Sequence, residues 1–381
     1  MTGLLETPYG TQDFLPSEAA DLRAVEGKIA ELFARFGYEQ VVTPTMEYLE
    51  TLTTSSGRAI EPHLFKMFDR NNRTLALRHE MTTPIARLTV NRLKDSPLPL
   101  KLSYVANVFR FRQNQPGRQC EFHQAGVELL GVSNAFADAE VVALATQALQ
   151  AAGLDDFTIC LGQVDFAAAL TDGLSPDVQA EIKSALERHD LVALDKLPVD
   201  ASLKELPKLR GRAEILSAAQ RIARNERARR ALDNLTEIYR LLEVYGVADK
   251  ISFDLGLIRD FEYYTGMVFE AYASGVGYSL AGGGRYDRML QDFGTNCPAT
   301  GFALGIERIL DARKFQGVTE NSSSHKVFVG YATGCEDAAI RRATELRQAG
   351  NVVELSLTAQ SHAQAEMSRT AKNCSELIYV E

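Results

Sequence analysis

The 381-residue sequence predicts an α+β protein. Its core is an antiparallel sheet flanked by helices, interrupted by a helical insertion and followed by a small α/β domain. Three observations predict this. Two strand-like runs, 104–112 and 121–130, flank a loop with the turn signal Pro116-Gly117, which reads as a hairpin. Residues 171–246 are nearly all helix formers, with Ser175-Pro176 at the start and prolines at 198 and 207 as dividers. Residues 326–381 alternate strand, helix, strand, helix, strand, the pattern of a parallel α/β unit. The expected organisation is a core in two parts, 1–170 and 247–318, around the insertion 171–246, with a small domain over 325–381.

Composition narrows the function classes. A hydrophobic share of 45% with 24% charged residues fits a globular chain, and the net charge of −9 does not suit a protein whose main work is gripping nucleic acid. Five scattered cysteines without CxxC spacing and six histidines without HxH or HExxH pairs imply a reducing compartment and no metal site. MTGLLETPYG lacks the features of a signal peptide, and no apolar run reaches membrane-spanning length, so a cytoplasmic location is expected.

The elements follow in order. Leu22, Val25, Ile29, Leu32, Phe33 and Phe36 fall at helical spacing, which predicts a helix from Ser17, read as its cap, to Phe36, ended by Gly37. Tyr38 to Thr43 reads as a short strand closed by Pro44. Residues 65–78 read as a hairpin with Asp69 to Asn72 at its tip, and 81–93 as a helix that accepts Pro84 in its first turn. A helix from Asp138 to Ala152 stops at Gly153, before a strand from Phe157 to Val164. The arginines between 210 and 230 are interspersed with acids and read as a solvated helical face. Strand alternation resumes at Ile251. Glu262, Tyr264, Gly266 and Val268 then share a face, the run Gly282-Gly283-Gly284 precedes Arg285-Tyr286-Asp287, and Thr300 to Leu310 runs from strand into helix with Arg308 in the first turn. Gly317 to Ser324 is a polar linker.

The central hairpin carries the functional signal. With a period of two, Ala106, Val108, Arg110 and Arg112 share one face of the first strand. Phe122, Gln124, Gly126 and Glu128 share one face of the second. An amide, a glycine gap and a carboxylate on one strand face suggest the floor of a small polar ligand site, since glycine lets another group approach the backbone. A solvated sheet face is the alternative. Glu80 and Thr82 stand at a strand-to-helix junction, where side chains can point into a cleft. His79 and His123 read as packing or hydrogen-bonding residues.

Taken together, these residues resemble the histidyl-tRNA synthetase branch of the class II aminoacyl-tRNA synthetases over residues 1 to about 315. TPTMEYLE is similar to motif 1, the dimerising element. VFRFRQNQPGRQCEFHQAGVELLG is similar to motif 2, GFALGIERIL to motif 3, and LIRDFEYYTGMVFE to the histidine signature around RGLDYYTG. The resemblance implies a pocket for L-histidine. Glu80, Thr82 and Gln124 are placed for the ammonium group, Arg259 for the carboxylate, Glu128 and Tyr264 for the two ring nitrogens, and Tyr263 for packing beside them, with Arg110 also in the pocket. A zwitterion needs an anion at one end and a cation at the other, joined by charge-assisted hydrogen bonds.

The departures point to a second family. Motif 2 of the synthetases reads arginine, any residue, glutamate, arginine; here it is Arg110, Phe111, Arg112, Gln113. Arg112 replaces the glutamate that meets ATP, and Asp260 replaces a glycine near the adenylate phosphate. Arg110, Arg118 and Arg308 remain as phosphate or nucleotide contacts. The segment 325–381 is shorter than a synthetase anticodon-binding domain. This combination resembles the regulatory subunits of ATP phosphoribosyltransferase. That resemblance implies a subunit with no catalytic residues and no cofactor, which binds histidine and mediates feedback on the first step of histidine biosynthesis. It also implies self-association as a dimer, a hetero-octamer with four short-form catalytic subunits, and no tRNA. An active histidyl-tRNA synthetase with a shortened C-terminal domain is the alternative.

Overall fold

The structure, a computed structural model, describes residues 4–111, 119–188, 190–257, 264–318 and 325–381. It falls into two compact units, Met1–Val318 and Thr319–Glu381.

The first unit is built on a nine-stranded sheet. Its strands are β1 (Glu39–Gln40), β5 (Leu100–Phe109), β6 (Glu121–Leu130), β7 (Phe157–Gln163), β8 (Arg210–Gly211), β9 (Ile251–Asp254), β10 (Met267–Ala273), β11 (Ala281–Arg285) and β12 (Ala299–Gly305). A second, small antiparallel sheet holds β2 (Met46–Tyr48), β3 (Lys66–Phe68) and β4 (Thr74–Leu77). The large sheet runs in the order β1-β5-β6-β12-β11-β10-β7-β9-β8. It is antiparallel from β5 to β7 and parallel only where β1 meets β5 and β9 meets β7. The architecture is the predicted one, an α+β fold with a large mixed sheet flanked by helices.

Helix Ala135–Ala151 lies at the centre of the packing. It is apolar on nearly all sides, the pattern of a helix surrounded by protein, and it packs against helices Pro16–Arg35 and Glu226–Val244 and against β12. It begins before the expected Asp138 because the Asn134 side chain caps it, accepting the Ala137 N–H at 2.9 Å. Asp138 is instead a buried residue of its first turn. Helix Pro16–Arg35 likewise differs at its start. Pro16 occupies the first turn, and the Leu15 N–H is met by Glu18 Oε2 at 2.9 Å, so Ser17 is not the cap. Gly37 ends it at φ +81°, as its position predicts.

The central hairpin keeps its expected second strand, but the first begins at Leu100 and stops at Phe109. Past Phe109 one more bond, from the Arg110 N–H to the Cys120 carbonyl at 2.8 Å, continues the pairing, and the Phe111 N–H then turns to the His63 carbonyl at 2.8 Å. The strand expected over 38–43 shrinks to Glu39–Gln40, continued by one further bond from the Val41 N–H to the Ser103 carbonyl. The glycine run 282–284 forms β11, a central strand. A Cβ at Gly283 would stand 2.2 Å from the Gly301 carbonyl, which is why the strand is made of glycine there.

The helical segment that follows residue 171 shares the core of the sheet. Leu194, Leu203, Leu216, Leu232, Leu235 and Ile238 are buried in the same cluster as β7 and β9. Arg210–Gly211, expected apart from the sheet, pairs antiparallel with β9 as its edge. The arginines here meet acids: Arg227 with Asp165 and Asp172, Arg224 with Asp200, and Arg230 with Glu226. Their charge is spent locally on an exposed face.

The second unit is a three-stranded parallel sheet in the order β14-β13-β15, with β13 (Lys326–Tyr331), β14 (Val352–Leu355) and β15 (Glu376–Val380). The period of two in β13 is explicit. Val327, Val329 and Tyr331 pack under Ala339 and Ala343 of helix Glu336–Gln348, whereas Phe328 faces Ala365 of helix His362–Ala371. A strand covered on both faces reads as a continuous apolar run, as VFVGY does. Among the described residues no helix is long and apolar enough to cross a membrane.

Two groups tie β11 to helix Ala135–Ala151. The Arg285 guanidinium meets Asp138 through Nη2 at 2.8 Å and Nε at 3.0 Å, with side chains only 8% and 1% exposed. The same guanidinium reaches Asp287 and the Val132 carbonyl. Burial pushes the Asp138 carboxyl up, and the Arg285 charge pulls it back. Replacing Arg285 by Leu leaves that carboxyl buried without its cation. We expect a loss of about 3–5 kcal/mol, read as a fall in the urea midpoint; a loss below about 1 kcal/mol would show the pair to be dispensable.

Candidate functional site

One pocket gathers the polar side chains of the hairpin face. Gln124 and Glu128 project from β6. Glu80 and Thr82 come from the turn into helix Thr82–Arg92. Arg110 follows β5, Tyr264 precedes β10, and Arg308 stands in the first turn of helix Ile306–Phe315. These sites span much of the first unit in sequence and are brought together by the β5-β6-β12-β11-β10 order of the sheet. Arg118, Arg259 and Tyr263 lie outside the described residues, as do Arg112 and Asp260.

Glu128 is the floor. It is 2% exposed, and its carboxyl is held by two hydroxyls. Thr82 Oγ1 donates to Oε1 at 2.7 Å, and the Tyr286 hydroxyl donates to Oε2. Burial pushes this carboxyl up to about 8; the Tyr286 and Thr82 hydrogen bonds pull it back, and the nearby Glu80 carboxylate adds to the rise. Gly301 makes room for it. β12 pairs with β6 so that Gly301 lies opposite Glu128, and a Cβ there would stand 2.0 Å from Oε2. Gly126, two residues back on the same face, does the same for the Tyr104 ring, whose hydroxyl would lie 2.4 Å from a Cβ.

Glu80 and Gln124 form the polar wall. The Glu80 carboxylate accepts the Thr82 N–H at 2.5 Å and the Thr83 N–H at 2.9 Å, so it sits on the positive end of helix Thr82–Arg92. Gln124 is 7% exposed, and its Oε1 meets no donor among the described residues. A buried amide oxygen without a donor is costly, and a ligand N–H at this point would remove the cost. Two acceptors, Glu80 and Gln124, therefore stand where a small cationic group fits. Arg110 and Arg308 bring positive charge to the same pocket. Arg110 Nε donates to the His79 carbonyl at 2.8 Å, and its guanidinium lies 5.3 Å over the Phe122 ring. Arg308 Nη1 donates to the Ser279 carbonyl at 2.6 Å.

The two histidines beside the pocket serve the framework. Burial pushes His79 down to about 4, so it is neutral at pH 7. His123 faces away from the pocket side of β6. Its backbone N–H and its ring Nδ1 both meet Glu307, the ring at 2.6 Å, and that hydrogen bond pushes the imidazole up. Glu307 thus takes up the ladder where β12 turns into the helix that carries Arg308. Sequence reasoning missed Tyr286, Gly301 and Glu307 as parts of the site. The run Gly-Gly-Gly-Arg-Tyr-Asp was the available signal for Tyr286, since three small residues mark a close approach of backbones.

Comparison with known proteins gives the family. Residues 10–309 match the family model described as histidyl-tRNA synthetase. An ATP phosphoribosyltransferase regulatory subunit from Moorella thermoacetica is 42% identical over 384 residues, covering 97% of this chain and 96% of that protein. One from Symbiobacterium thermophilum is 41% identical, covering 92% and 90%. A crystal structure from Bacillus halodurans C, titled as an ATP phosphoribosyltransferase regulatory subunit/histidyl-tRNA synthetase, superposes with a TM-score of 0.88 at 33% identity over 99% of both chains. The histidyl-tRNA synthetase of Nostoc sp. PCC 7120 shares the fold, with a TM-score of 0.84 at 21% identity, covering 99% of this chain and 92% of that one. By fold and by likeness over nearly its whole length, this chain belongs to the family of ATP phosphoribosyltransferase regulatory subunits, built on the histidyl-tRNA synthetase fold.

Proposed function

We propose that this chain is a non-catalytic subunit that binds free L-histidine and carries feedback control to a short-form ATP phosphoribosyltransferase. The observation that supports it best is the grouping of Glu80, Thr82, Gln124, Glu128 and Tyr264 in one pocket. The ammonium group meets Glu80 and the unsatisfied Gln124 oxygen, and the Thr82 oxygen can accept from it while its hydrogen stays on Glu128. The ring lies between Glu128 and Tyr264. Arg259, with Tyr263 beside the ring, completes the site in this reading and takes the carboxylate. Amino acids without a ring N–H leave Glu128 without its ligand partner, which is how a polar pocket selects. Control follows from linkage. Histidine that binds one arrangement of the complex better shifts the population toward it, and substrates that favour the other arrangement weaken histidine binding in return.

Titration calorimetry with L-histidine is expected to give one site per chain. Glu128→Ala should weaken binding by about 1–3 kcal/mol, the cost of unpairing a buried group. No heat at millimolar histidine would sink the reading.

Arg110 and Arg308 line the same pocket and keep a second reading in play, that of a working histidyl-tRNA synthetase. Arg112 and Asp260 oppose it, because nucleotide chemistry depends on donors placed where charge develops. Histidine-dependent exchange of pyrophosphate into ATP should stay at background with purified protein. Robust exchange would return the chain to the synthetases.

The motif-1-like residues around Thr43-Pro44 support a symmetric dimer of this chain, and the family name supports assembly with a catalytic subunit; four of each is the stoichiometry we propose. Co-expression should yield a stable complex whose phosphoribosyltransferase activity falls as histidine rises. Arg259→Ala or Tyr264→Phe should raise the histidine needed for inhibition without dissolving the complex; unchanged sensitivity in both would move the sensing site elsewhere.

A further inference from the structure

Glu128 has an environment unlike that of any other acid in the pocket. Both of its oxygens already hold a hydroxyl, Thr82 on one and Tyr286 on the other. Among the described residues the charge that acts on it is a like one, Glu80, which adds to the push of burial. Gly301 lets the β12 backbone close over it. A hydroxyl can donate to a carboxylate or accept from a carboxylic acid, so Thr82 and Tyr286 satisfy this group in either protonation state. A third donor tips the balance, because a carboxylate that accepts three hydrogen bonds is strongly favoured in its ionised form. The ring N–H of a bound histidine is that third donor.

We propose that histidine binds here as its imidazolium form, against an ionised Glu128, with the proton that Glu128 carries in the free protein passed to the ring. This rests on the histidine reading above. The transfer balances: the carboxyl O–H bond breaks, a ring N–H bond forms, and no further proton is needed. The second ring N–H then donates to the Tyr264 hydroxyl oxygen, which acts as an acceptor. The other titratable and charged groups of the pocket are consistent with this. Tyr104 on β5 is kept in its phenol form by burial. The Arg110 and Arg308 guanidinium groups are anchored on the His79 and Ser279 carbonyls, and Glu80 is held on the helix terminus.

Proton counting gives a distinctive outcome. Burial pushes the Glu128 carboxyl of the free protein up to about 8, whereas a free imidazole loses its proton at about 6.5. The complex holds one proton between them. Near neutral pH the pair therefore exchanges no proton with solvent on binding. Above the Glu128 range it takes one up, and below the imidazole range it releases one. A sensor of this kind binds best in a window around neutrality and weakens on both sides.

Calorimetry of the full chain with L-histidine, in buffers of differing ionisation enthalpy, measures this directly. At about pH 9, on the alkaline side of Glu128, the wild type should take up close to one proton more per site than Glu128→Gln. The histidine amino group titrates equally in both and cancels. Glu128→Gln is expected to bind about 10- to 100-fold more weakly. The wild type alone provides a second test. With ring ¹⁵N-labelled histidine, both nitrogens of the bound ligand should show protonated shifts at a pH where free histidine is neutral. A bound ring with one unprotonated nitrogen overturns the inference and leaves the histidine reading standing. Absence of histidine binding overturns both.

Discussion

The first unit is arranged around a carboxyl that has no business being buried. Glu128 sits at the middle of the sheet, and an unpaired acid there would cost several kcal/mol. Thr82 reaches it from the turn into helix Thr82–Arg92, Tyr286 reaches it from the end of β11, and Gly301 withdraws its side chain to make the space. Each of these depends on strand register, since a slip of one residue would turn Glu128 and Gln124 to the opposite face. The glycines of β11 and β12 are tied to the same demand, because backbones must approach closely where the pocket wall is formed.

The scaffold around this point is densely packed. Helix Ala135–Ala151 is buried on almost every side and is tied to β11 by the Arg285–Asp138 pair. The helical segment after residue 171 closes the other end of the sheet and shares its core. Glu307 links the backbone of β6 to the helix that carries Arg308. A pocket built on strands and helices, with its side chains locked by hydrogen bonds, is preorganised for a ligand.

The function we propose is that of a site that has outlived a reaction. A fold hosts many functions, and the site decides among them. In this chain the side chains suited to an amino acid stand together in one pocket. By resemblance to the synthetase motifs, the sequence changes at Arg112 and Asp260 fall where those enzymes are expected to meet the nucleotide. Recognition needs a satisfied polar pocket; catalysis needs in addition donors aimed at a transition state. Losing the second while keeping the first turns an enzyme pocket into a sensor, the role we propose.

Much of this was legible in the residues. β6 runs over the expected Glu121–Leu130, because its alternation is unbroken. The C-terminal unit follows its strand–helix alternation closely, because each element there is short and bounded by turn residues. Gln124 and Glu128 stand out because an amide and a carboxylate on one strand face are odd for a core, Glu80 and Thr82 because they stand at a strand-to-helix junction, and the resemblance to the synthetases groups the four. The tertiary structure alone decided the partners. Tyr286 lies 158 residues from the carboxyl it holds, and although the glycine run before it marks a close approach of backbones, it does not say which group the hydroxyl meets. Gly301 gains its meaning only when β12 is laid beside β6. Periodicity is a local property and is written along the chain. A hydrogen bond between distant residues depends on strand order and register, which the whole sheet sets at once.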